Sequence, residues 1–258
     1  MGKIKIALCL SGEPRSSMFC FPYIYESFIN LGPEFEVDVF VHTRKTFRAF
    51  YLYTPVRYIL DNLSSENLVQ KINNIKLLPE LQNKKNFYLG FTANSNFILN
   101  QLLMLEGIQK SFQLSLLDNH SYNIYIRCRP DIFTDFNSLA KTITIINDIL
   151  KEKYDVFIPS GNFDINSFDY KESLNQYNDQ LAIGNFKGIE AYSNTLNNLE
   201  YLVSQTKELK AEHWIKKQLD YHNIKVNLSS FPINLARNLN VFSNRGPLGQ
   251  PDLAFFDQ

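Results

Sequence analysis

The sequence predicts an α/β protein in which short buried strands alternate with helices. Two apolar runs, residues 4–10 and 37–41, have the length and composition of strands buried on both faces of a parallel sheet. Between residues 96 and 117, apolar side chains recur at intervals of three and four, which is typical of an amphipathic helix. More short apolar runs alternate with helical stretches toward the C-terminus. This order predicts a mixed, mostly parallel, Rossmann-like sheet flanked by helices.

The two N-terminal strands enclose a loosely helical segment at residues 16–30, which completes a β-α-β unit. Further strands are expected at residues 75–78, 123–127, 154–158, 180–184 and 224–228. Further helices are expected around residues 55–62, 65–72, 138–151, 187–204 and 211–222, with Ser138 as a cap of the third. Polar residues 161–178 predict a long loop, and the Pro- and Gly-rich tail from residue 232 predicts irregular structure. Without an internal repeat or a low-complexity linker, we expect a single domain.

Composition limits the classes of protein that fit. The chain has 258 residues, of which 45% are hydrophobic and 20% charged, an ordinary globular composition. Its 26 basic and 26 acidic residues cancel, which argues against nucleic acid as a partner. The three cysteines form no C-x-x-C pair, so neither a disulfide framework nor a zinc site is indicated. Cys9 and Cys128 lie in strand-like runs, where we expect small core residues.

The N-terminal apolar run is about six residues long, shorter than the apolar region of a typical signal peptide. No segment approaches the roughly 20 apolar residues of a membrane span. We therefore expect a soluble protein, and peripheral association with a membrane stays open. The odd number of cysteines, without a disulfide framework, favours the reducing cytoplasm.

The most informative segment is Tyr-Ile-Arg-Cys-Arg-Pro-Asp at residues 125–131. It brings Arg127, Arg129 and Asp131 to the end of a predicted strand, because Pro130 cannot donate to the strand ladder. Arginines bind phosphate, and an aspartate can hold a metal ion that neutralises phosphate. The alternative is an Arg–Asp salt bridge that closes the strand.

Two other predicted strands also end in polar residues. Ser11, Gly12 and Arg15 follow the first strand, where a Ser-Gly turn can expose backbone amides to a phosphate that Arg15 reinforces. The segment is neither a dinucleotide-binding fingerprint nor a Walker loop, and an ordinary tight turn with a surface arginine is the alternative. His42 ends the second strand and could bind a phosphate or a base edge, or simply be hydrogen-bonded. Parallel strands would bring these groups and the 125–131 segment to one edge.

Carboxylates in the C-terminal half are candidates for acid–base chemistry. Asp179 and Gln180 precede an apolar strand, and an acid there could act as a general base or cap a turn. Glu212 and His213 open a helix, where a glutamate also suits the helix dipole and the histidine could ligate a metal. Signatures of proteases, zinc hydrolases and serine hydrolases are absent.

Several segments together resemble a group of GT-A-like glycosyltransferases from surface-polysaccharide loci of bacteria and from some large viruses. These are IALCLSGEPR, VDVFVHT, YIRCRPDI and NDQLAIG, followed by Glu212 with its helix and by NIKV. They occur in order through most of residues 4–228. The resemblance implies a GT-A-like fold with a nucleotide-sugar-binding half, residues 1–135, and an acceptor-binding half, residues 136–258. It also implies a nucleoside-diphosphate-sugar donor and a glycan or lipid-linked glycan acceptor.

The resemblance further implies roles for individual residues. Ser11, Gly12 and Arg15 would lie near the nucleotide, Asp131 near the diphosphate and Asp179 near the acceptor. Such enzymes commonly use Mn²⁺ or Mg²⁺ held by an Asp-x-Asp motif, but the corresponding position here reads Arg129-Pro130-Asp131. Either Asp131 alone holds a metal, or Arg127 and Arg129 neutralise the diphosphate.

Three functions therefore fit the sequence. The first is sugar transfer in surface polysaccharide or glycoprotein synthesis, with Asp179 as the base. The second is a phosphotransferase or nucleotidyltransferase that uses the same arginines, and the third is a non-catalytic nucleotide-sugar-binding module.

Overall fold

The computed structural model describes residues 2–12, 16–43, 48–60, 95–117, 121–135, 137–160, 177–206 and 210–235. Within these ranges, the helices are α1 (Ser17–Ile24), α2 (Arg48–Leu52), α3 (Ser95–Leu116), α4 (Ser138–Leu150), α5 (Phe186–Ser193), α6 (Leu199–Thr206) and α7 (Ala211–Tyr221). A π-helical turn, Tyr25–Ile29, extends α1, and a 3₁₀ turn, Asn194–Asn198, joins α5 to α6. The strands are β1 (Ile4–Ser11), β2 (Phe35–Thr43), β3 (Arg57–Leu60), β4 (Ile124–Cys128), β5 (Ile132–Thr134), β6 (Val156–Pro159), β7 (Leu181–Gly184), β8 (Val226–Ser229) and β9 (Ile233–Leu235).

Seven of the described strands form one sheet in the order β3-β2-β1-β4-β7-β6-β8. Pairs β3/β2, β2/β1, β1/β4 and β6/β8 are parallel, whereas β7 runs antiparallel to both of its neighbours. The predicted fold class, a Rossmann-like, mixed and mostly parallel sheet flanked by helices, is therefore confirmed. The chain moves outward from β1 to β2 and β3, then returns to place β4 on the other side of β1. This reversal of strand order makes the carboxyl ends of β1 and β4 a topological switch point, where open α/β sheets bind ligands.

The sheet separates two apolar cores because alternate side chains of a strand point to opposite faces. On one face, Ala7 and Tyr125 of the sheet pack with Leu102 of α3, Ile189 of α5 and Trp214 of α7. On the other face, strand residues pack with α1, the π-helical turn and α4. Both faces are covered, which explains why β1 and β4 read as nearly continuous apolar runs.

Most predicted elements are present, with bounds that shift by a few residues. The expected helix around residues 55–62 is wrong, because Arg57–Leu60 form the edge strand β3, paired with β2. The expected cap of α4 is also wrong: Asn137 occupies the N-cap position, and Ser138 is the first helical residue. Residues 187–204 are divided among α5, the 3₁₀ turn and α6 rather than forming one helix. In the expected irregular tail, β9 pairs with β5 in a second, two-stranded sheet.

Other predictions lie outside the described residues, namely the helix at 65–72, the strand at 75–78, Arg15, and nearly all of the loop at 161–178. Cys9 and Cys128 are buried core residues, as predicted. Burial raises the pKa of the Cys9 thiol to about 12, so this group is not a nucleophile at neutral pH. In the described part of the chain, no helix is long and apolar enough to cross a membrane.

Candidate functional site

Parallel pairing brings the ends of three strands to one edge of the sheet. Ser11 of β1 is the register partner of His42 of β2, and Cys9 of β1 is the partner of Arg127 of β4. The strand-end clusters singled out in the sequence therefore share one edge, as expected for a parallel sheet.

Strand β7 reaches the same edge from the opposite direction. Because it is antiparallel to β4, the residues that precede β7 lie beside the residues that follow β4. The backbone N–H of Arg129 donates to the carbonyl of Gln180 at 3.0 Å, and the Gln180 N–H donates to Oδ1 of Asn178 at 2.7 Å. Nη1 of Arg127 donates to the backbone carbonyl of Asp179. The structure thus places the predicted base, Asp179, beside the predicted diphosphate-binding segment.

Arg127 is buried with part of its hydrogen-bonding capacity unused. Its side chain is 1% exposed, and within the described residues neither Nε nor Nη2 has a hydrogen-bond partner. A buried donor without a partner costs roughly 1–3 kcal/mol, and more when the group is charged. Such a cost suits a group whose partner arrives with a ligand, and two parallel N–H donors match the oxygens of a phosphate.

Arg129 and Asp131 make a different arrangement. Nε and Nη2 of Arg129 donate to Oδ1 and Oδ2 of Asp131, each at 2.8 Å, and Asp131 is fully buried. Asp131 contributes to the raised pKa values of Cys20 and Tyr53, after the larger effect of burial, so it lies toward the face that carries α1. The structure therefore shows the salt bridge that was the alternative interpretation of the Arg-Pro-Asp segment.

The first and second strands end beneath α3. Gly107 of α3 lies so close that an added Cβ would be 3.2 Å from Nδ1 of His42 and 3.5 Å from Cβ of Ser11. Ser11 and His42 are 1% and 2% exposed, and the Ser11 hydroxyl has no hydrogen-bond partner in the part of the chain that the structure describes. Gly12 has a φ of +134°, and a Cβ there would lie 3.5 Å from Cδ of Pro130. The turn after β1 therefore packs directly against the segment after β4, which only a glycine conformation allows.

Glu212 joins Asp179 at this edge from the first turn of α7. Burial, then the nearby Asp179 carboxylate, raises the pKa of Glu212 to about 7. Burial also raises the pKa of Tyr192, with a lowering contribution from Arg127 and raising contributions from Asp179 and Glu212. The N-terminus of α7 is held in place where the Ala211 N–H donates to Oε1 of Gln101 at 2.5 Å. Arg127, Asp179 and Glu212 thus form one electrostatic cluster around Tyr192.

A polar cleft of about 340 Å³ adjoins this cluster, between α6 and α7. Its walls are formed by Tyr177, Gln205, Thr206, Glu212, His213, Lys216, Lys217 and Asp220. The structure therefore brings Glu212 and His213, two of the candidate residues of the C-terminal half, to one opening. Sequence reasoning missed Tyr192 and the two lysines, because a tyrosine on an apolar helix face and lysines on a polar one look like ordinary helix residues.

The residues present do not fit a divalent cation at Asp131. Both oxygens of its carboxylate are taken by Arg129. In the described ranges, no group of three or more His, Cys, Asp or Glu side chains could hold a metal ion. The predicted Mn²⁺ or Mg²⁺ stays a prediction.

No family model matches this sequence, and no curated protein matches it significantly. Similar solved structures include a protein of Desulfovibrio desulfuricans G20 named provisionally as a nucleotide-diphospho-sugar transferase. It is 9% identical with a TM-score of 0.44, over 96% of this chain and 90% of that one. Another is a glycosyltransferase involved in glycosylation of the major capsid of PBCV-1, 7% identical with a TM-score of 0.41, over 88% of this chain and 82% of that one. At these values of identity and TM-score, neither likeness assigns a function to this chain.

Proposed function

We propose that this chain is a glycosyltransferase that moves a sugar from a nucleoside-diphosphate-sugar donor to a glycan or lipid-linked glycan acceptor. One observation carries the proposal. At the carboxyl edge of the sheet, buried Arg127 donates to the backbone carbonyl of Asp179 and has two further donors without a partner among the described residues, and Glu212 lies near enough to Asp179 for that carboxylate to help raise its pKa. Sugar transfer from a nucleotide needs both functions, a cation for the leaving diphosphate and a base for the acceptor.

Arg127 supplies the positive charge. During transfer, the bond between the anomeric carbon and the diphosphate oxygen breaks, and its electrons leave with the nucleoside diphosphate. A fixed guanidinium at that oxygen stabilises the developing charge more effectively than water does. Arg127 is buried, so a diphosphate would reach its unpartnered donors only through an opening at this edge of the sheet. The turn at Ser11 and Gly12, packed against Pro130, lies beside this point and would contact the nucleotide.

Asp179 is the proposed general base. The acceptor hydroxyl attacks the anomeric carbon as its proton passes to a carboxylate within hydrogen-bonding distance. The hydrogen bond from Arg127 to the Asp179 carbonyl fixes the backbone of this residue relative to the diphosphate-binding group. Glu212 beside it, with a pKa of about 7, can hold or release a proton near neutral pH. Gln180, next to Asp179 in the chain, and His213, next to Glu212 in the cleft wall, would contact the acceptor.

The two halves of the chain would supply different groups to the reaction. Residues 1–135 supply the arginines and the turn after β1, and residues 136–258 supply both carboxylates and the cleft. We place the reaction in surface polysaccharide or glycoprotein synthesis in the cytoplasm, with peripheral contact to a membrane if the acceptor is lipid-linked. We propose no nucleic-acid partner, because the net charge is zero.

Incubation with a panel of UDP-, GDP- and dTDP-sugars tests the proposal. We expect slow hydrolysis of at least one donor to a free sugar and its nucleotide, because water can replace the acceptor. Release of a nucleoside monophosphate from a diphosphate sugar, or transfer of a phosphoryl group, would indicate the phosphotransferase or nucleotidyltransferase alternative instead.

The Asp179→Asn variant separates catalysis from binding. Loss of the base should lower donor turnover about 100-fold or more, whereas nucleotide binding should persist. Asp148→Asn is the matched control, because Asp148 lies on α4, away from the site, and pairs with Lys153 just after that helix. Turnover that is unchanged in Asp179→Asn would refute the assigned base. Nucleotide binding without turnover in the wild-type chain would favour a non-catalytic module.

A further inference from the structure

The cleft between α6 and α7 is joined to the proposed reaction centre by one residue. Glu212 forms part of the cleft wall and also belongs to the electrostatic cluster with Asp179 and Arg127. A ligand in the cleft is therefore next to the carboxylates that would accept a proton from a hydroxyl group. This position suits the acceptor rather than the nucleotide, whose diphosphate is assigned to Arg127.

The cleft lining has the chemistry of a saccharide site. The Tyr177 ring is half-buried, and an amide (Gln205), a hydroxyl (Thr206) and a carboxylate (Asp220) lie around it. An aromatic face packs against the C–H face of a sugar, while the polar groups donate to and accept from its hydroxyls. A volume of about 340 Å³ accommodates a unit of one or two sugars.

Two lysines in the cleft wall indicate that the ligand of the cleft carries a negative charge. Lys216 and Lys217 lie on the wall, on the two turns of α7 after Glu212. Lys216 is four residues from both Glu212 and Asp220, a spacing that favours ion pairs within a helix. In the described part of the chain, however, neither lysine makes an ion pair, whereas Lys110 pairs with Glu106 at the same spacing. The two ammonium groups therefore remain available to an anion in the cleft.

We propose that the cleft binds the acceptor, and that this acceptor is a saccharide carrying an anionic group, which Lys216 and Lys217 hold while a hydroxyl faces Glu212. The identification of the ligand as an acceptor rests on the proposed glycosyltransferase function. The anionic group could be a phosphate or a carboxylate, which share the charge and the oxygen acceptors that lysines bind. Asp220, on the same wall, would accept a hydrogen bond from a sugar hydroxyl.

The test measures binding of defined probes without any nucleotide. Glucose 6-phosphate, glucuronate, methyl glucoside and inorganic phosphate are each titrated into the wild-type chain and followed by protein-observed NMR. At least one of the two anionic sugars should bind about tenfold more tightly than methyl glucoside, and the stronger of the two identifies the anionic group. Lys216→Gln/Lys217→Gln should remove this preference. Lys3→Gln/Lys151→Gln changes the net charge equally on exposed lysines elsewhere and should retain it.

Equal binding of anionic and neutral sugars would overturn the inference, and so would a preference that survives Lys216→Gln/Lys217→Gln. Inorganic phosphate that binds as tightly as glucose 6-phosphate would reduce the cleft to a simple anion site and would also overturn it. These outcomes are independent of the donor assays. If no nucleotide sugar binds the wild-type chain, the proposed function fails, whatever the sugar titrations show.

Discussion

Arg129 binds Asp131 through both carboxylate oxygens, each at 2.8 Å, and the aspartate is completely buried. Asp131 therefore serves as the counter-ion of one arginine. The arginine two residues earlier, Arg127, lies beside Cys9 and Ala182 in the sheet and points to the opposite face. The two arginines of the Arg-x-Arg-Pro-Asp segment therefore have different roles. Arg129 pairs with Asp131 after the end of β4, whereas Arg127 has two donors without a hydrogen-bond partner among the described residues.

Asp131→Asn should be strongly destabilising. It leaves the Arg129 guanidinium buried without a counter-ion, which typically costs about 3–5 kcal/mol. Urea unfolding followed by circular dichroism measures the free energy of unfolding. The control is Asp148→Asn, which removes the more exposed pair with Lys153 and should cost less than about 1 kcal/mol. Equal costs for the two variants would contradict the structural role of Asp131, and stabilisation of the wild-type chain by Mn²⁺ that is lost in Asp131→Asn would instead support a metal site.

Stability should fall as the pH rises through the range in which Glu212 ionises. Burial raises its pKa from 4.5 to about 7, so the folded chain binds more protons than the unfolded chain between these values. The stabilisation is fully present below pH 4.5 and is lost as the pH rises to about 7. Glu212→Gln cannot ionise, so at pH 8 it should be more stable than the wild-type chain by roughly 1–3 kcal/mol. Urea unfolding from pH 5 to pH 8.5 checks this, and parallel profiles would show that Glu212 is not buried beside Asp179.

The contact between α5 and β6 should not tolerate a methyl group at Gly188. An added Cβ would lie 2.5 Å from the backbone carbonyl oxygen of Asp155, so the helix would have to move away from the strand. We expect Gly188→Ala to lower the free energy of unfolding by about 1–3 kcal/mol, despite the better helix propensity of alanine. Gly2→Ala is the control, because a Cβ there meets nothing within 4 Å. An unchanged free energy of unfolding in Gly188→Ala would show that α5 does not pack this closely against β6.

The sequence predicts the strands near the site well because those strands are buried on both faces. The middle residues of β1 and β4 are apolar and buried, and this pattern is visible without a structure. Edge strand β3 was mistaken for a helix because its residues are mostly half-buried or exposed and carry no continuous apolar run. Pairing with β2, a tertiary contact, decides its conformation.

The site could be predicted only in part. Strands β1, β2 and β4 are parallel neighbours, so the sequence alone could predict that Ser11, His42 and Arg127 lie toward the same edge of the sheet. Asp179 joins them because β7 runs antiparallel, and the apolar pattern of a strand is the same in either direction. Asp131 pairs with Arg129 rather than with Arg127. This choice depends on the direction that the chain takes after β4 ends at Cys128, which the spacing of the residues does not determine.

The most direct test of the proposed function compares nucleotide binding by the wild-type chain and Arg127→Met. Replacing a buried, partly unpartnered cation with an apolar side chain of similar length should change the stability of the ligand-free chain little. Binding of a nucleoside diphosphate should be lost, because the group that meets the diphosphate is gone. Arg57→Met, on the exposed edge strand, is the control for loss of a charge. With UDP, GDP and dTDP at millimolar concentration, we predict that at least one raises the melting temperature of the wild-type chain and of Arg57→Met but not of Arg127→Met. The absence of a shift with every nucleotide, or an equal shift in Arg127→Met, would contradict the account.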